Sequence, residues 1–103
     1  MFGGKQFHLI ATKAGILRGG DFHDSVSGVI MLSGTGTWFI KEGNGIVEKP
    51  QKENELLNIP PKISHYFKAE TNCLFIEWLE QEGPFISNID PELRKIVLDS
   101  KRK

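Results

Sequence analysis

Glycine and proline interrupt the first two thirds of this 103-residue chain at short intervals, at Gly15, Gly19, Gly20, Gly28, Gly34, Gly36, Gly43, Gly45, Pro50, Pro60 and Pro61. Between the breaks lie short runs with strand chemistry, at residues 6–12, 29–32, 37–41, 45–48, 55–59, 65–69 and 73–79. Several short strands at this spacing, with turn residues between them, predict an all-β sandwich or barrel. Seven Phe, two Trp and one Tyr favour strands over helices in the same way. Lys41-Glu42-Gly43-Asn44-Gly45 reads as a hairpin turn, because Asn-Gly tolerates the positive φ angles a tight hairpin needs.

The tail has a different period. Asp90 can cap a helix, Pro91 suits its first turn, and Glu92 complements the positive end of its dipole. Leu93, Ile96 and Val97 then recur at helical spacing, and Lys101-Arg102-Lys103 suits the negative end. The expectation is a helix over about 90–101, lying across one mouth of a barrel or onto a partner. The barrel itself should span about 5–80, and residues 1–103 should form one domain, which is all a chain of this length has room for.

Thirteen basic and thirteen acidic residues cancel, which removes the electrostatic footprint of a nucleic-acid binder. Cys73 is the single cysteine, so no intrachain disulfide forms and a reducing, cytoplasmic setting is the simpler expectation. The stretch 1–7 lacks the apolar core of a signal peptide, and no apolar run approaches the length of a membrane span. A domain this small gains from a partner. The strand at 73–79 is apolar on both faces apart from Glu77, which points to a homodimer.

Gly15, Asp21, His23, Ser27 and Gly34 stand at the spacings of the first cupin motif, whose slots hold Gly, His, His, Glu and Gly. Asn54, Pro60, Lys62, His65 and Ala69 occupy the second motif's slots for Gly, Pro, Gly, His and Asn. The chain therefore resembles the cupin superfamily over residues 15–78, and the resemblance implies a double-stranded β-helix, or jelly-roll barrel, around one polar pocket. It departs from the pattern where the first His is Asp21, the Glu is Ser27, and both glycines and the Asn of the second motif are lost. Arg18-Gly19-Gly20-Asp21-Phe22-His23 is also similar to a segment of sugar-nucleotide isomerase and epimerase cupins, in which the Arg contacts substrate and the first His moves a proton.

Asp21 and His23 are two apart on a strand and share a face, and His65 should join them from a neighbouring strand. Two imidazoles and a carboxylate make a facial set for one divalent metal, Fe, Mn, Zn or Ni, leaving positions open for a small-molecule ligand. The same three residues also make a metal-free polar patch with proton-transfer capacity. Three readings follow: a cupin binding a sugar or organic acid, with or without metal; a metal-independent sugar-nucleotide isomerase or epimerase using Arg18, with Asp21, His23 or His65 moving the proton; and a non-catalytic binding module. If it is an enzyme, isomerisation, epimerisation or metal-dependent oxygenation is the expected class. Arg18, Ser27, Met31 and Phe67 are candidate ligand contacts, and Val29 and Phe39 share the parity of interior residues. Glu77 is expected at a strand end or in an interfacial ion pair, although it is also a candidate for the missing acidic ligand. His8 is expected at the surface or an interface, Tyr66 facing away from the pocket, Cys73 as a small buried hydrophobe, and Trp38 and Trp78 in the core or an interface.

Overall fold

The computed structural model describes residues 6–80 and 86–101, so Lys5, Arg102 and Lys103 of the expected barrel and helix lie outside the described residues. The described chain forms β1 (Phe7–Thr12), β2 (Leu17–Phe22), β3 (Ser27–Ser33), β4 (Gly36–Glu42), β5 (Gly45–Gln51), β6 (Leu56–Ile59), β7 (His65–Ala69), β8 (Cys73–Leu79), β9 (Asn88–Ile89) and α1 (Pro91–Ser100). One sheet runs β1-β8-β3-β6 and the other β5-β4-β7-β2-β9, with antiparallel pairing throughout. The two sheets close face to face on one core, as the all-β reading requires.

Strand alternation decides which side chains meet there. On β8, Cys73, Phe75, Glu77 and Leu79 are buried and alternate with half-buried residues. On β4, Trp38 and Ile40 turn inward and pack with Val29, Met31, Phe67 and Phe75. Burying one such side chain is worth about 1.5–3 kcal/mol, so this cluster is the main source of stability. Trp38 Nε1 donates to Gln51 Oε1 at 2.8 Å, and Gln51 Nε2 donates to the carbonyls of Val29 (3.0 Å) and Glu55 (2.8 Å). Phe39, expected inside, has the opposite parity to Trp38 and stacks on Tyr66 on the outer face, rings 4.6 Å apart. Trp78 is on the outer face of β8, where its Nε1 donates to Glu80 Oε1 at 2.7 Å.

β2 is absent from the strand-like runs of the sequence because its Gly19 and Gly20 carry little strand propensity. It forms against β7, with a register shift between Gly19 and Asp21. Gly20 has φ +88, and a Cβ there would stand 2.5 Å from Arg94 Cα, so only glycine lets α1 lie this close to the strand. The β4–β5 hairpin pairs Glu42 with Gly45, which centres the turn on Gly43-Asn44, with φ +60 at Gly43 rather than at Asn44. Glycine first is the requirement of a type II′ turn.

Asp90 caps α1 as expected: its Oδ1 accepts from the backbone N–H of Glu92 (3.0 Å) and Leu93 (3.2 Å). The helix does not cross a barrel mouth. Leu93 and Val97 instead pack on Tyr66, with Leu17 and Phe39 beside them, on the outer face of the five-stranded sheet. The outward aromatics Phe39 and Tyr66 supply the apolar surface that draws it there. No helix among the described residues is long and apolar enough to cross a membrane.

Candidate metal and ligand pocket

Asp21 and His65 stand opposite each other in the β2–β7 register, and His23 follows directly after β2. Asp21 Oδ1 is 3.8 Å from His65 Nε2, and the two imidazole rings are 5.4 Å apart. Donor atoms of Asp21, His23 and His65 all lie within 4.8 Å of one another. Both imidazoles are buried, His23 at 3% exposure and His65 at 2%.

Each ring is oriented by a backbone carbonyl. His23 Nδ1 lies 2.9 Å from the carbonyl of Ile86, and His65 Nδ1 lies 3.0 Å from that of Ile63. A carbonyl only accepts, so each Nδ1 carries a proton, and the neutral form of each ring has its lone pair on Nε2. Those are the nitrogens facing Asp21 and Glu77. Burial pushes the His65 pKa below its ordinary value, outweighing the Ile63 carbonyl and the Asp21 charge, and so keeps the ring neutral and able to donate electrons.

Glu77 corrects the expectation of a strand end or an interfacial ion pair. It sits mid-strand on β8 at 9% exposure, with Oε2 4.0 Å from His23 Nε2. Burial raises its pKa to about 7; the Asp21 charge pushes the same way and Arg18 opposes it. The sequence signal for this placement is its parity with Cys73 and Phe75, both core residues. His8 is exposed on β1, opposite Glu77 in the register.

These groups surround a cavity of about 150 Å³, room for about five waters. Arg18, Asp21, His23, His65 and Glu77 form its polar wall, and Trp38, Phe67 and Phe75 its apolar one. Arg18 and Phe67 thus stand at the cavity, as two of the four ligand-contact candidates. Ser27 and Met31 do not line it; both are in the closed interior at 1% and 0% exposure. Ser27 Oγ has no hydrogen-bond partner among the described residues.

No family model matches the chain, and no curated protein matches its sequence. Solved structures do match. A variant of the oxalate decarboxylase of Bacillus subtilis overlays with a TM-score of 0.72 at 20% identity, over 81% of this chain and 22% of that one. A deletion variant of the same enzyme gives 0.75 at 17% identity, over 84% and 24%. The capsular polysaccharide assembling protein CapF of Staphylococcus aureus gives 0.69 at 21% identity, over 82% and 26%. The chain has the cupin fold. It spans about a quarter of the length of each of these proteins.

At two slots of the second motif the likeness lies in the backbone and not in the side chains. Asn54 and Lys62 occupy the two glycine slots of the second motif, and they have φ +69 and +62, the only positive values at non-glycine residues among those described. The Lys62 N–H donates to the carbonyl of His23 at 2.6 Å, and the Asn54 N–H to that of Met31 at 2.7 Å. The first of these bonds ties the loop before His65 directly to His23, so the left-handed residue helps hold the two imidazoles in register.

Proposed function

We propose that this cupin binds a small polar ligand, a sugar or an organic acid, beside one divalent metal ion (Fe, Mn, Zn or Ni) held by Asp21, His23 and His65. The observation that carries the reading is the pair of buried imidazoles, both committed through Nδ1 to backbone carbonyls and both turning Nε2 towards the same carboxylate-lined space. Orienting a ligating imidazole through its other nitrogen is how proteins prepare a metal site. Glu77 adds a buried carboxylate to the half-buried one of Asp21, with Arg18 as the cation acting on it, and negative charge in excess favours a bound cation. A likeness to the Bacillus subtilis oxalate decarboxylase, whose Mn(II) centres have been characterised, supports a divalent ion in a barrel of this kind.

A bound metal would supply Lewis acidity and orient a ligand oxygen. The protein's own residues would do the rest. Phe67, Phe75 and Trp38 keep water from the apolar wall, and Arg18 offers a two-pronged donor to a carboxylate or phosphate. In the metal-free barrel the Glu77 carboxyl, pushed up to about 7 by burial, can take up or release a proton near neutrality. Isomerisation or oxygenation is the reaction class this set suits. Elemental analysis of protein kept from chelators and nickel resin should find about one divalent ion per chain, lost in His65→Ala with the fold retained. Protein that takes up none of Fe, Mn, Zn or Ni would overturn the reading.

A second reading, a metal-independent sugar-nucleotide isomerase or epimerase of polysaccharide biosynthesis, is favoured by Arg18 at the cavity and by the likeness to CapF. Here Arg18 holds phosphate and His23 or His65 transfers the proton. A nucleotide sugar that raises the melting temperature of chelator-treated protein supports it. Exposed Phe7 and Leu9 on the edge strand β1 support a homodimer, and the buried free thiol of Cys73 suits a cytoplasmic setting.

A further inference from the structure

A second concavity of about 330 Å³ lies between β2 and α1, on the far side of β2 from the barrel interior. Arg18, Gly19 and Asp21 line both this groove and the cavity, so the two meet across β2. Arg94 and Lys101 contribute from the helix. Three cations face Asp21, and since Arg18 also acts on Glu77 in the cavity, about one positive charge is left in excess. The carbonyls ending α1 offset roughly half a charge, so the groove stays positive.

The Arg94 guanidinium is already positioned. Its Nε donates to the carbonyl of Gly19 at 2.8 Å, which leaves the two terminal nitrogens free to form a fork. Neither Arg18 nor Lys101 has a side-chain hydrogen bond or ion pair among the described residues. The close approach of α1 over Gly20, where a Cβ would stand 2.6 Å from Arg94 N, sets Arg94 against this strand.

We propose that the β2–α1 groove is an anion subsite for a diphosphate group, and that the ligand runs across β2 with its reacting end in the cavity. The second clause rests on the reading of the cavity given above; the anion subsite does not. Size and charge both favour this placement. The cavity alone holds about five waters, too few to enclose a nucleotide, whereas the groove holds about eleven and carries the cations that a diphosphate needs.

The test is calorimetric titration of pyrophosphate into the full chain, with and without chelator, alongside Lys101→Ala and Arg94→Gln. The subsite predicts saturable binding that survives chelation and weakens about three- to tenfold in each variant. Lys101→Ala removes only an exposed side chain, so it keeps the test decisive if Arg94→Gln loosens the helix. Helix content by circular dichroism separates loss of the cation from loss of α1. Absence of binding at millimolar pyrophosphate overturns the proposal, as does binding unaffected by both variants. Binding that disappears on chelation places the anion on a metal in the cavity; that outcome overturns the groove and leaves the metal reading standing.

Discussion

Glu77 gives the sharpest test of the pocket, because its carboxyl is costly in the metal-free barrel and useful once a cation is present. Its pKa is raised from 4.5 to about 7 by burial and by Asp21, with Arg18 opposing and His23 and His8 as the titratable neighbours. The folded state therefore binds the proton more tightly than the unfolded chain. This stabilisation is fully present below about pH 4.5 and is lost as pH rises through about 7. Raising the pKa from 4.5 to about 7 corresponds to about 3 kcal/mol at alkaline pH. Glu77→Gln removes that loss but buries an amide whose hydrogen bonds are incomplete, at about 1–2 kcal/mol. The net expectation at about pH 8.5 is a gain of about 1–2 kcal/mol, or roughly 5–10 °C in melting temperature for a domain this size. At about pH 4.5 the variant should have no advantage. The lowered pKa of His65 works in the opposite sense, removing stability as pH falls below 6.5, but it is present in both proteins and largely cancels in their difference. The assay is thermal unfolding of chelator-treated wild type and variant across this range. A stability difference that does not change with pH would refute the burial argument for Glu77.

The remaining stability predictions concern the elements that hold the pocket. Lys62→Gly relieves a left-handed backbone costing about 1–2 kcal/mol against the greater chain entropy of glycine, so urea unfolding should show a net gain of about 0.5–1 kcal/mol. A loss of stability would mean that the Lys62 side chain matters more than its φ angle. Asp90→Ala removes the cap of α1 and the 3.2 Å contact with Lys41 Nζ, and should cost about 1–2 kcal/mol in the same assay. An unchanged midpoint would mean that packing of Leu93 and Val97 alone fixes the helix.

Much of this fold is legible in the sequence because turn and cap chemistry are local. The hairpin between β4 and β5 and the cap at Asp90 each follow from a few neighbouring residues, whereas the parity of Phe39 on β4 and the centring of the turn on Gly43-Asn44 do not. Two placements depend on partners distant in sequence. β2 looks unlike a strand because Gly19 and Gly20 weaken it, and only the pairing with β7 and the approach of α1 explain those glycines. The position of α1 depends on Phe39 and Tyr66 turning outward together, a fact about two strands that no single segment carries.

The pocket divides along the same line. Asp21, His23 and His65 are readable from spacing because the motif counts residues along strands. Glu77 is not, since its value depends on which side of β8 meets the imidazoles, and a carboxylate among apolar neighbours looks misplaced until that side is known. Ser27, in the slot of the motif's acid, is buried beside Ile59 and Leu79 in the register and takes no part in the cavity wall. Across this barrel a carboxylate from β8, Glu77, stands 4.0 Å from His23 Nε2 instead. Asn54 and Lys62, standing where the motif has glycines, both have left-handed backbone. The path of the backbone brings two imidazoles and two carboxylates around one space.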